Sequence, residues 1–141
     1  MLPVRVERKQ RKHTYVQVTI DAGATKDALD ILRNQGVPGR EVLATPPYHI
    51  TLLFGCEEKD WERVCDAIEL DLAALSDEKF TLSQPYIVSP DNRDRDFLVV
   101  DVIHSKLKVL KSVWHNLYGS KTQEVVKAHI TLLEIARPTV K

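Results

Sequence analysis

The stretch His49-Ile50-Thr51-Leu52-Leu53 occurs again, residue for residue, as His129-Ile130-Thr131-Leu132-Leu133, 80 positions later. Each copy lies in an apolar, β-branched run, 48–54 (YHITLLF) and 125–135 (VVKAHITLLEI), which is the composition of a strand. Side chains alternate faces along a strand, so His and Thr point one way in each copy while Ile and the first Leu point the other, toward a core. With five His and nine Thr in the chain, chance supplies roughly 0.3 H-x-T triplets. Two of them in one five-residue context are a repeat.

The flanking sequence extends that repeat. Residues 14–20 (TYVQVTI) alternate β-branched and aromatic side chains, a strand pattern. Thr25 to Gln35 carries Ala28, Leu29, Ile31 and Leu32 at helical spacing, with Thr25 as N-cap and Gly36 as stop. Residues 36–47, rich in glycine and proline, read as a connection. In the second half Phe97 to Ile103 is a strand, and His104 to Tyr118, with Leu107, Leu110, Trp114 and Leu117, is a helix ending at Gly119. Strand, helix, loop, strand therefore recurs over 14–54 and 97–135. Between the halves, Glu57 to Leu75 forms an amphipathic helix through Trp61, Val64, Cys65, Ile68 and Leu72. Phe80 to Val88 is extended with Pro85 interrupting it, and 89–96 is a polar turn. The expectation is one α+β domain over 1–141, two-lobed and duplicated about a pseudo-twofold, with antiparallel sheets lining a central groove and helices outside.

At 141 residues the chain has the length of one ordinary domain. Its 43% apolar and 28% charged residues fit a soluble protein, and no run approaches the ~18 apolar residues of a membrane span. Met1 to Lys9 contains no apolar segment of the kind that directs secretion, so a cytoplasmic location is expected. The net charge is zero, which disfavours bulk electrostatic capture of long nucleic acid and favours a short ligand. Arg5, Arg8, Lys9, Arg11 and Lys12 read as a solvated tail, and Glu57, Glu58, Asp60 and Glu62 as a solvated helix face. Cys56 and Cys65 lack C-x-x-C spacing, so neither a disulfide framework nor a zinc site is indicated.

Two His-over-Thr pairs suit phosphodiester chemistry. One neutral imidazole can take a proton from the attacking group while a protonated one gives a proton to the leaving oxygen. The Thr hydroxyls can donate to the non-bridging oxygens. The chain has no evident carboxylate cluster to hold a metal, and neither metal nor cofactor is expected. His49, Thr51, His129 and Thr131 are thus the candidate catalytic residues. Tyr15 as a base-stacking group and Lys127 and Arg137 as phosphate ligands are the candidate binding residues. Tyr48, Trp61 and Trp114 read as core, and His13, His104 and His115 as structural or exposed.

These motifs resemble the 2H phosphoesterases, named for two H-x-[TS] motifs and including RNA 2′,3′-cyclic phosphodiesterases and enzymes that cut 2′-5′-linked oligoadenylate. The resemblance covers nearly the whole chain through the repeat. It implies a metal-independent, monomeric hydrolase acting on a short RNA, oligonucleotide or cyclic nucleotide, with His49 and Thr51 as first motif and His129 and Thr131 as second. The apolar residue usual after each Thr is present as Leu52 and Leu132. The basic residue common soon after the second motif is replaced by Leu133-Glu134-Ile135, which leaves the subfamily open. Degradation of cyclic oligonucleotide messengers, and a nucleotide-binding module without turnover, are the competing readings.

Overall fold

The computed structural model describes residues 4–10, 14–20, 24–35, 37–75, 80–119 and 127–138. Its elements in chain order are β1 (Val4–Gln10), β2 (Thr14–Ile20), α1 (Ala24–Asn34), β3 (Val42–Ala44), β4 (His49–Phe54), α2 (Trp61–Ala73), β5 (Thr81–Leu82), β6 (Tyr86–Val88), β7 (Asp96–Ile103), α3 (Ser105–Tyr118) and β8 (His129–Ile135), with a 3-10 turn at Glu58–Asp60. The class is α+β, and every strand pair is antiparallel. One sheet has the order β1-β2-β4; the other has the order β3-β8-β7-β5, with β6 also paired to β7. No helix among the described residues is long and apolar enough to cross a membrane.

Each HITLL strand pairs with the strand that opens its half of the repeat, and in the same way. On β4, Thr19 faces His49 and Gln17 faces Thr51, but the next residue, Val16, faces Leu53. On β8, Asp101 faces His129 and Val99 faces Thr131, but Leu98 faces Leu133. Leu52 and Leu132 are therefore extra residues, each forming a bulge at the same place in its motif. A bulge resets the alternation of faces, so two successive leucines reach the core: Leu52 and Leu53 are buried, as are Leu132 and Leu133. His49, Thr51, His129 and Thr131 stay half-exposed on the opposite face.

The helices cross between the halves. α3 lies against β4, α1 lies against β8, and β4 and β8 approach each other with Cα atoms within 8 Å. Leu29 of α1, Trp114 and Leu107 of α3, and Ile50, Ile130 and Leu132 of the strands meet in one core. The Nε1–H of Trp114 donates to Asp71 at 2.8 Å and ties α3 to α2. At the start of α3 the backbone is extended at His104, whose Nδ1 accepts from the amide of Leu107 at 3.2 Å; imidazole serves here as the N-cap that a Ser or Asp usually provides.

Four expectations change. Arg5, Arg8 and Lys9 are not part of a tail: they lie in β1, which pairs with β2 along its whole length. Among the described residues β1 pairs with β2 alone and so forms a sheet edge; Arg11, Lys12 and His13 lie outside the described residues. The 36–47 connection contains β3, which extends the larger sheet beyond β8. The helix expected from Glu57 begins at Trp61, after the 3-10 turn. α1 begins at Ala24, so Thr25 falls inside the helix rather than before it.

At one end of β7 the buried carboxylate of Asp96 accepts from Arg40 and, at 3.1 Å, from Arg137 Nε. Arg40, which also donates to the Ala136 carbonyl at 2.9 Å, holds the Asp96 carboxyl below its usual range despite desolvation, with Arg137 assisting. This cluster clamps the β3 approach and the segment after β8 onto β7.

Candidate active site

Each motif histidine is held by the backbone just before its own strand. His49 Nδ1 lies 3.1 Å from the Pro47 carbonyl oxygen, and His129 Nδ1 lies 2.8 Å from the Lys127 carbonyl oxygen. A carbonyl oxygen only accepts, so in both rings Nδ1 is the protonated nitrogen that donates. Nε2 is thereby left as the position that gives or takes a proton, in the same tautomer at both sites. The bond reaches back two residues in each case. This second repetition, of side-chain geometry, is independent of the repeated letters.

The surroundings of His129 are the better furnished. Asp101 stands opposite it on β7, accepts from the Tyr86 hydroxyl, and lies 3.5 Å from Lys127 Nζ. Burial, reinforced by that bond to Asp101, pushes the Tyr86 hydroxyl up to about 12. His129, Thr131 and Lys127 line one groove on the face of β6, β7 and β8, with a volume of about 410 Å³.

Beneath Thr51 lies a buried cation. Lys111 of α3 is 6% exposed, and its Nζ donates to the Thr51 carbonyl at 2.9 Å, beside the β4 bulge. Burial lowers its pKa to about 8. On the other helix, Asp30 of α1 accepts from the Tyr48 hydroxyl at 2.7 Å. That bond, with Lys26 and Arg33 nearby, lowers the Asp30 carboxyl, while burial first and the bond second raise Tyr48 to about 12. The residue immediately before His49 is thus fixed to α1.

Of the remaining sequence candidates, Tyr15 and Arg137 stand away from the histidines, Arg137 against Pro90 of the groove that His129 lines. Tyr15 pairs with Phe54, at the end of β4 away from His49. Arg137 lies eight residues beyond His129, bonded to Asp96 and to the Pro90 carbonyl. Trp114 is fully buried and Tyr48 is 5% exposed, while Trp61 is half-buried against the core. Cys65 is a buried core residue and Cys56, also buried, is a second. Sequence reading passed over Asp101, Tyr86 and Lys111. Two carried a signal: Asp101 is the acidic residue inside an apolar strand, and Lys111 sits on the apolar stripe between Leu107 and Trp114.

In comparisons with protein-family models, with curated proteins and with solved structures, nothing matches this chain.

Proposed function

We propose that the protein is a metal-independent phosphodiesterase of the 2H type, hydrolysing a 2′,3′-cyclic phosphate or a 2′-5′ phosphodiester of a short RNA-like substrate. The observation that carries this reading is the pair of HITLL strands, each bulged at the same leucine and each with its histidine bonded through Nδ1 to the carbonyl two residues before it. In this reading the two halves are lobes related by a pseudo-twofold, and β4 and β8 bring the two histidines to one phosphate.

The chemistry follows from the free Nε2 atoms. One unprotonated Nε2 takes a proton from water as its oxygen bonds to phosphorus. The other imidazole, protonated, gives its Nε2 proton to the ester oxygen as that P–O bond breaks. One bond forms, one breaks, and the histidines exchange protonation states. Thr51 and Thr131 donate to the non-bridging oxygens, where charge is held in the transition state.

Turnover of 2′,3′-cyclic nucleotides, 2′-5′ and 3′-5′ oligoadenylates and cyclic dinucleotides, followed by chromatography in EDTA, tests the reading. Wild type is expected to yield product, and His49→Ala and His129→Ala each to lose about 10² to 10⁴ in rate. Turnover by either variant at the wild-type rate would sink the acid–base pair. Nucleotide binding without any product would leave a binding module in its place.

A further inference from the structure

The two motifs have the same letters and the same bulge, but the helices behind them differ. Behind β4, Lys111 of α3 is buried and its Nζ donates to the Thr51 carbonyl at 2.9 Å. α1 covers β8 as α3 covers β4. It buries Leu29 completely and keeps its charged residues, Lys26, Asp27, Asp30 and Arg33, at least partly in solvent. The buried cation is thus an addition to the duplicated plan, made on one side.

A tie between helix and strand does not explain it. Burying an ion without an opposing charge is costly, and an apolar side chain of similar volume fills such a place without that cost. The carbonyl held by Lys111 belongs to a candidate catalytic threonine, at the bulge where the β2–β4 register shifts. Bond lengths keep Nζ within about 9 Å of the Thr51 hydroxyl, and a buried charge is poorly screened over that range. We infer that Lys111 is a positioning residue of the first motif: its bond fixes the Thr51 backbone at the bulge, and its charge draws the anionic phosphoryl group to the Thr51 side. This assignment rests on the phosphodiesterase reading above.

Bond and charge can be separated, because an amine that has lost its proton still has hydrogens to donate. Burial brings the Lys111 pKa down to about 8, so the charge is lost within the range of an assay. On α3, Lys108 and His115 lie within about one turn of Lys111. From α2, Asp71 accepts from Trp114 and Arg63 lies over Tyr118. On β4, the His49 side chain is on the opposite face. None of these forms an ion pair with Lys111, and burial alone sets the direction of its shift.

The test is the ratio of kcat/KM for wild type to that for Lys111→Met, between pH 6 and pH 9.5, on whichever member of the substrate panel wild type turns over. A ratio of about 10- to 100-fold is expected at pH 6.5. It is expected to fall as pH rises, with the midpoint of the Lys111 Nζ nitrogen-15 resonance of wild type. Lys111→Gln, neutral but still a donor, is expected to fall short of wild type in the same pH-dependent way. A ratio near one, or one constant with pH, would overturn the role of the charge, make Lys111 a tie between α3 and β4, and leave the phosphodiesterase reading standing. If wild type turns over nothing, that reading fails and sulfate, whose charge is constant over this range, decides for Lys111; it decides also if neither variant folds. Sulfate affinity of wild type, followed at the Thr51 methyl by carbon-13 NMR, is expected to fall about 10-fold with the Lys111 midpoint. Constant affinity, a fall that follows only the histidine resonances, or no sulfate at Thr51 would end the assignment.

Discussion

A lysine buried with one carbonyl is an expensive residue. At 6% exposure Lys111 has given up its hydration for a bond to the Thr51 oxygen, and its pKa falls from 10.5 to about 8. Because the folded-state value is the lower one, the unfolded chain holds this proton more tightly between about pH 8 and pH 10.5, and the contribution of Lys111 to stability rises with pH across that window. The gain from pH 8 to pH 10 is about 2 kcal/mol. The Cys56 thiol, pushed up by burial, and Tyr48 and Tyr86, raised to about 12, act oppositely, because the unfolded chain gives up these protons first as pH rises. Urea denaturation at pH 7, 8, 9 and 10 reads the effect: Lys111→Met is expected to lose stability as pH rises, and wild type to gain on it by about 2 kcal/mol between pH 8 and pH 10. Replacing a buried charge with an apolar group of similar volume is often neutral or stabilising, so Lys111→Met is expected to be at least as stable as wild type at pH 7. A Met variant that keeps the wild-type slope would remove Lys111 as its source. The helical stripe holding Lys111 was legible in the sequence, but its partner was not, because a backbone carbonyl 60 residues away leaves no mark on the letters.

At the level of elements, the two bulges explain what a period-two reading misses. Strict alternation puts Leu53 and Leu133 on the same face as the histidines, whereas both are 3% exposed. Leu133→Ala is therefore expected to cost about 2–4 kcal/mol in urea denaturation. Leu133→Thr, harmless if the strand were regular, is expected to be comparably damaging. A loss under about 0.5 kcal/mol for Leu133→Thr would mean that β8 does not bulge. The strands and helices of both halves were readable because their apolar spacing is sustained: β2 spans Thr14–Ile20, the expected bounds. β1 was hidden because only Val4 and Val6 mark its alternation among charges, and β3 because three residues are too few to show a period. The catalytic candidates were legible for a different reason, that a duplicated motif is visible without any structure. The groove was not, since Tyr86, Phe97 and His129 come from three strands that only pairing brings together.

Across the whole molecule, the crossing of helices makes each half depend on the other. β4 is covered by α3 and β8 by α1, so Ile50 and Ile130, at 1% and 0% exposure, owe their burial in part to the opposite half. Fragments cut after Leu75 are expected to lack a cooperative unfolding transition when separate and to regain one when mixed. Circular dichroism during urea titration checks this; a cooperative transition in either fragment alone would show that its core closes without the crossing helix.

The same architecture bears on how the molecule meets copies of itself. A sheet ends in unpaired backbone groups that can template another strand. Here β4, an edge of the smaller sheet, is placed against β8 inside the molecule. The two outer margins of the larger sheet are fragments of two or three residues, β3 on one side and β5 and β6 on the other. The remaining margin, β1, is seven residues long but reads VRVERKQ, with four charges. Short or charged margins give a neighbouring chain little to add to, so at high concentration strand-to-strand growth into fibrils is disfavoured. Resistance to such growth is thus written into the lengths of the margins and the letters of β1, whatever the groove on the other sheet binds.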